Sequence, residues 1–518
     1  MKLHALAFSV LLGCASLSFS ATAAAPQSTQ HEAGIAWFKG DVDAAFAAAK
    51  AANKPLFLYW GASWCPPCNQ VKATIFNRQN FIERTRSFVP VYVDGDSPSA
   101  QKIGARFKVS GYPTMILFRP DGSEVTRLPG EVDANRYLQV LTAGISSNHT
   151  VEDLLKLAHS TPDKLSANDW KLLSYYTWYA NEQHLVAGKD IPATLLKLAT
   201  VSTDADSALR LQWRGWLATE EKAREELPLS SADRAKTLKQ LQDMRWVREN
   251  ADLVSSAGEL YALLGAKASA EEKQALQQAA DKALRTLLDD ASLSRADRIS
   301  MLDGLRTLVK TDLGKDAALP PALQSLIKEK VKQIESSTSD SFERQSVVSA
   351  AAHTLFAAGL QQESDDLLKA ELKRSHSPYY FMLSLAGNAK KRGDRAAAIS
   401  WYEQAYQAAK GPATRLQWGA AYLNGLLELS PDDEARIEKV AASVLSEFSK
   451  MPDAFYDRNR AQIERTGRRL LAWNLDGKHA QSFARVQAQV DAICAKLPKN
   501  DAERATCKGI LPAAKEQM

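Results

Sequence analysis

The chain has 518 residues, of which 45% are hydrophobic, and a formal net charge of +5. That length and apolar content allow about two to four folded domains with sizeable cores and exclude a disordered chain. Neither the N-terminal part nor the remainder has the basic excess of a nucleic-acid binder, so no nucleic-acid partner is expected.

The first residues read as a secretory signal peptide over 1–23. Lys2 precedes an apolar stretch, and Ala21-Thr22-Ala23 supplies a small-residue cleavage point. The alternative is a lipoprotein anchor through Cys14, which follows Leu11, Leu12 and Gly13. The short apolar segment ahead of Cys14 and the second cleavage signal downstream favour the first reading. No later segment reaches the roughly 18 apolar residues of a membrane helix. A soluble protein in the bacterial periplasm is therefore expected.

Residues 30–148 alternate between helical and strand patterns. "IAWF" (35–38) is a short apolar run, "DVDAAFAAAKAANK" (41–54) is helical in composition, and "PLFLYW" (55–60) and "VPVYVD" (89–94) are strands of the fully buried kind. "SPSAQKIGARFKV" (97–109) predicts a short helix, and "TMILFR" (114–119) joins "EVTRLPG" through the turn Pro120-Asp121-Gly122-Ser123. "DANRYLQVLTAGI" (133–145) predicts an amphipathic helix. The pattern implies an α/β domain.

From 149 onward strand signals vanish and an all-α region is expected, divided into helical-hairpin repeats over 149–340 and a second set over 341–518. "LSANDW" (165), "LSSADR" (229) and "LSRADR" (293) recur at intervals of 64, each with Ser at an N-cap position and Asp three residues later. "LAGNAKKRGDRAAAISWYEQAYQAA" (385–409) resembles a tetratricopeptide repeat, with Gly393-Asp394 at its turn and Ala398, Tyr402 and Ala405 at packing positions. Gly359, 34 residues earlier, fits the turn of a preceding, more degenerate copy. The aromatic clusters "DWKLLSYYTWY" (169–179) and "LQWRGW" (211–216) are read as packing between hairpins rather than as a peptide groove.

Between the strand at 55–60 and the next helix lies "WCPPC", holding two of the five cysteines. A c-type haem needs C-x-x-C-H, and Asn69 follows Cys68. A structural zinc lacks partner ligands, because the remaining mature cysteines, Cys494 and Cys507, lie in a different predicted domain. No metal or other cofactor is expected. A structural disulfide over so small a loop constrains the unfolded chain little. A redox pair has a physical cause: Cys65 at a helix N-terminus meets unsatisfied N–H groups that favour its thiolate. Pro66 and Pro67 fit the first turn, and Cys68 is placed to resolve a mixed disulfide on Cys65.

Strand, W-C-x-x-C at a helix start, then "GYPT" before a strand is the pattern of the thioredoxin family, which residues 30–148 resemble. Within it "KPLFLYWGASWCPPCNQVKATIF" looks most like the C-terminal domain of DsbD transporters and small exported thioredoxins. The resemblance implies a thioredoxin-like fold, Cys65 and Cys68 as catalytic thiols, and a cis Pro113 that positions substrate with Trp64 and Tyr112. It also implies disulfide-bearing protein substrates and a membrane electron donor of the DsbD type. One position departs: where thioredoxins keep a buried acid, this chain has Tyr59. Either an acid such as Asp94 or a water takes over, or Tyr59 is a core aromatic, the reading favoured by a tyrosine pKa of about 10. Strong oxidants of the DsbA type carry a histidine between the cysteines, and all eight histidines here lie elsewhere.

Cys494 and Cys507 flank a predicted hairpin and are expected to form a structural disulfide in an oxidising compartment. A second redox pair serving the first is the competing reading. The function expected is an exported thiol:disulfide oxidoreductase, acting as a reductase. The alternative is a helical scaffold or chaperone with an accessory redox-sensing domain, and the intact cysteine pair favours the first.

Overall fold

The computed structural model describes residues 34–109, 111–181, 185–314, 316–499 and 502–511. The signal peptide expected over 1–23 and Cys14 fall outside them. Helix α1 (Val42–Ala52) begins where the Asp41 carboxylate accepts the Ala44 N–H and ends at Asn53 in the left-handed region. Strand β1 (Leu56–Gly61) lies inside a sheet of order β2-β1-β3-β4. It runs parallel to β2 (Val89–Asp94) and antiparallel to β3 (Thr114–Phe118), which forms a hairpin with β4 (Glu124–Leu128).

Helices α2 (Pro66–Val71), α3 (Gln79–Arg84), α4 (Ala100–Arg106) and α5 (Ala134–Ser146) complete the α/β unit. All six residues of β1 are buried, because the sheet is covered on both sides. Phe57 and Tyr59 enter the core that holds Cys65 and Cys68, while Leu56, Leu58 and Trp60 join Val42, Ala45 and Ala100 on the other face. The apolar run at 35–38 is not a strand; Phe38 N–H alone reaches the sheet, at Pro90 O, 2.8 Å away. Helix α3 carried no sequence signal.

Beyond α5 the described residues form helices and turns without a strand. Ser166, Ser230 and Ser294 each cap a helix by accepting the N–H of the Asp three positions on. In the first two copies that Asp closes a capping box. The hairpin of Pro378–Lys391 and Arg395–Ala408 turns at Gly393 (φ 80), and that of Ser341–Ala357 and Gln361–Glu371 at Gly359 (φ 85). A positive φ suits glycine at both turns. Trp170, Trp178 and Trp213 are buried between helices, in agreement with the packing reading of the aromatic clusters. Cys494 and Cys507 are joined by a disulfide with Cα atoms 5.6 Å apart, between the Ala480–Lys496 and Ala502–Lys508 helices.

The helical region curls back over the α/β unit. Thr177 Oγ1 donates to Leu128 O at 3.0 Å, Arg136 pairs with Glu249 at 2.8 Å and Arg248 with Asp133 at 3.3 Å. Farther along, Gln101 N–H donates to the Asp453 carboxylate at 2.8 Å.

Candidate active site

Cys65 occupies the N-cap of α2 in extended backbone, and its Sγ accepts the Cys68 N–H at 3.2 Å. Pro66 and Pro67 fill the first turn, where an N–H would lack a partner. The two cysteines form a disulfide with Cα atoms 5.2 Å apart. Asn69, the residue that excludes haem, ties the preceding loop to the helix, since its Nδ2 donates to Ser63 O at 2.8 Å and Cys65 O at 3.0 Å.

The Tyr112–Pro113 peptide is cis, as the resemblance implied. Tyr112 lies edge-on to Trp64 with ring centres 5.7 Å apart, which sets the proline turn beside the cysteine motif. Gly130 abuts Pro113; a Cβ there would come within 3.2 Å of the proline ring. The sequence-predicted residues Trp64, Cys65, Cys68, Tyr112 and Pro113 thus come together. Cys494 and Cys507 belong to a separate core, which also holds Val486, Val490 and Ile510.

Tyr59 is fully buried, stacked on Tyr92 at 5.1 Å and edge-on to Phe76 at 5.0 Å. Its position is filled by aromatic packing, with the Lys72 ammonium 4.9 Å from the Tyr92 ring and the Tyr92 O–H donating to Asp94 at 3.2 Å.

The residues that sequence reasoning missed come from the helical region. Trp64 stacks on Tyr380 with centres 5.9 Å apart and meets the edge of Trp418 at 4.8 Å. Its indole N–H donates to Thr414 Oγ1 at 2.8 Å, and its carbonyl accepts from Gln345 Nε2 at 3.3 Å. His376 Nε2 lies 3.0 Å from Ser63 O. Thr414 gives its N–H and O–H to the Asp96 carboxylate at 2.7 and 2.6 Å. Burial raises Asp96 to about 6 against the opposing effect of those two bonds. Burial also lowers His376 below its usual value, leaving it neutral near pH 7.

On the other side of α2, Gln70 Nε2 donates to Ser294 Oγ at 3.1 Å and Asp297 at 2.7 Å, and burial lifts Asp297 to about 6. Cys65 is left 2% exposed, Cys68 0% and Trp64 9%. Among the described residues no group of three or more His, Cys, Asp or Glu is placed to hold a metal. None of their helices is long and apolar enough to cross a membrane.

Residues 42–145 match the thioredoxin-like domain family. The chain is 32% identical over 103 residues to the thiol:disulfide interchange protein DsbD of Pseudomonas fluorescens, covering 19% of this chain and 18% of that one. It is 31% identical over 90 residues to the TPR repeat-containing thioredoxin TDX of Arabidopsis thaliana, covering 17% and 22%. The solution structure of a thioredoxin from Thermus thermophilus aligns with a TM-score of 0.20 at 26% identity, covering 21% of this chain and 85% of that one. The chain spans about a fifth of the length of these two curated relatives. With the Cys65–Cys68 pair, the family match and the two curated likenesses suggest thiol–disulfide oxidoreductase chemistry for residues 42–145. Residues 42–145 are a thioredoxin-like domain, followed by a long all-helical region consistent with tetratricopeptide-like repeats.

Proposed function

We propose that this chain is an exported, periplasmic thiol:disulfide oxidoreductase that reduces disulfides of protein substrates, with Cys65 and Cys68 as its catalytic thiols. The observation that carries the reading is the helix N-terminus at Cys65, whose sulfur accepts a backbone N–H and whose neighbour Trp64 meets the cis-proline turn. The N–H and the helix dipole favour thiolate at Cys65 over Cys68.

In the reduced enzyme the Cys65 thiolate attacks one sulfur of a substrate disulfide, forming a mixed disulfide and releasing the other substrate sulfur as thiolate. Cys68, after losing its proton, attacks Cys65 Sγ and releases the second substrate thiol. Two electrons pass to the substrate, and the enzyme ends with the Cys65–Cys68 disulfide. A thiol donor, for which a membrane protein of the DsbD type is the candidate, returns two electrons and two protons. Trp64, Tyr112 and Pro113 are the residues proposed to hold the substrate segment.

Cys68→Ser tests the first step, because the mixed disulfide can no longer be resolved. Partners trapped on Cys65, together with insulin reduction by the wild type, are expected. Absence of trapped partners would favour the second reading, a helical scaffold whose thioredoxin-like domain only senses redox state. That reading draws on the depth at which the pair is buried. A reduction potential near the roughly −120 mV of strong oxidants would reverse the proposed direction.

A further inference from the structure

The cysteine pair is covered on the side that its chemistry must use. A substrate disulfide has to reach Cys65 Sγ past Trp64 and the Tyr112–Pro113 turn. That space holds Tyr380 and Trp418 against the indole, Gln345 on the Trp64 carbonyl and His376 on the Ser63 carbonyl. The Arg458 guanidinium lies 4.6 Å from the Tyr112 ring centre. A cavity of about 250 Å3 beside α2 offers no way round, since Pro67 and Gln70 line it but neither cysteine does.

The seam mixes an apolar patch, in which Trp64 and the cysteines pack with Tyr379, Ala409 and Trp418, with a set of polar contacts that a permanent core would not hold. Across it run polar contacts: Trp64 to Thr414, Thr414 by its N–H and O–H to Asp96, Gln101 to Asp453, and Gln70 to Ser294 and Asp297. Asp457 Oδ2 is buried there without a hydrogen-bond partner, against Gly104 and Trp60. Desolvation raises Asp96 and Asp457 alike, so closing the seam costs free energy that an apolar seam would not. Interfaces of this polar kind within one chain resemble transient protein–protein contacts.

We propose that the Ser341–Ala357, Pro378–Lys391 and Pro412–Leu429 helices form a lid on the redox motif, latched by Thr414 between Trp64 and Asp96. The lid must leave Trp64 before a protein disulfide reaches Cys65. This inference rests on the oxidoreductase reading and adds to it the control of access to the same site.

The test uses the full chain, reduced and freed of reductant, with pulsed iodoacetamide and site-resolved mass spectrometry at Cys65. Insulin reduction and reaction with a small aromatic disulfide are followed in parallel. Thr414→Val removes the hydroxyl that serves both latch bonds at constant size. It is expected to speed Cys65 alkylation and insulin reduction by roughly tenfold, with a smaller gain for the small disulfide. Gln345→Ala loosens the lid from a different helix and provides the same test should the first variant fail to fold. Folded variants that alkylate Cys65 and reduce insulin at wild-type rates would overturn the lid. Faster alkylation with no reduction of any disulfide by any form would support the lid and remove the reductase reading instead.

Discussion

The indole N–H of Trp64 and the hydroxyl of Thr414 meet at 2.8 Å across 350 positions of sequence. The same hydroxyl donates onward to Asp96, so one oxygen holds two groups of the thioredoxin-like domain. Thr414→Val leaves a buried N–H and a largely buried carboxylate short of a partner and is expected to cost about 1–3 kcal/mol. Thr414→Ser keeps the oxygen and is expected to stay within about 0.5 kcal/mol of wild type. Urea unfolding of the two variants measures the difference.

Asp457 supplies a pH dependence. Burial lifts its carboxyl to about 7, offset in part by Arg458. The folded protein therefore holds a proton that the unfolded chain releases near pH 4, the ordinary range of about 3.9. Its contribution to stability is fully present below that range and is lost as pH rises through 7. Asp457→Asn cannot ionise, and Asn tolerates the positive φ of 46 found here. The variant is expected to gain roughly 2–3 kcal/mol over wild type between pH 5 and pH 8, read from unfolding midpoints at the two pH values.

Gly104 marks a close approach between α4 and the Asp457–Trp473 helix. A Cβ there would sit 2.3 Å from Asp457 Oδ2 and 2.9 Å from the Trp60 ring. Gly104→Ala is expected to destabilise by about 1–3 kcal/mol despite the gain in helix propensity, because both neighbours are packed. It should also raise the Cys65 alkylation rate, since the Asp457–Trp473 helix, which bonds to the Pro412–Leu429 helix of the lid through Thr466 and Arg458, can no longer seat on α4.

The Cys494–Cys507 disulfide spans 13 positions and is buried among Val486, Val490 and Ile510. Replacing both cysteines with Ser is expected to cost about 3 kcal/mol. Hydrogen exchange should show the loss confined to the helices after 457, with Cys65 reactivity unchanged. An effect on insulin reduction would argue that this pair takes part in electron transfer.

Much of the fold was legible because its causes are local. The unbroken apolar run of β1 announced a strand covered on both faces, that of β2 a strand that proves half buried at the sheet edge, and the three Ser-x-x-Asp signatures marked helix starts that the structure contains. The high pKa of a tyrosine pointed to Tyr59 as a core aromatic rather than a base, and it packs as one. The lid was not legible. Gln345 lies on one helix, His376 in the bend before the next hairpin, and Thr414 and Trp418 one turn apart on a third helix, and their convergence on Trp64 depends on the summed rotation of every hairpin between them. Asp297 shows the limit most clearly: its sequence context is that of a third helix cap, yet its carboxylate also accepts from Gln70, two residues past Cys68.

Contacts to the N-terminal domain recur along the whole arm, at Thr177, Glu249, Asp297, Gln345, Thr414 and Asp453. A solenoid with a free end can gain or lose a unit, since each unit touches only its neighbours. Here the arm is held at intervals from Thr177 to Asp453 by the domain from which it starts. Deleting or duplicating one hairpin would carry every later contact out of register, so the spacing of the helices is tied to the surface of the thioredoxin-like domain that they meet.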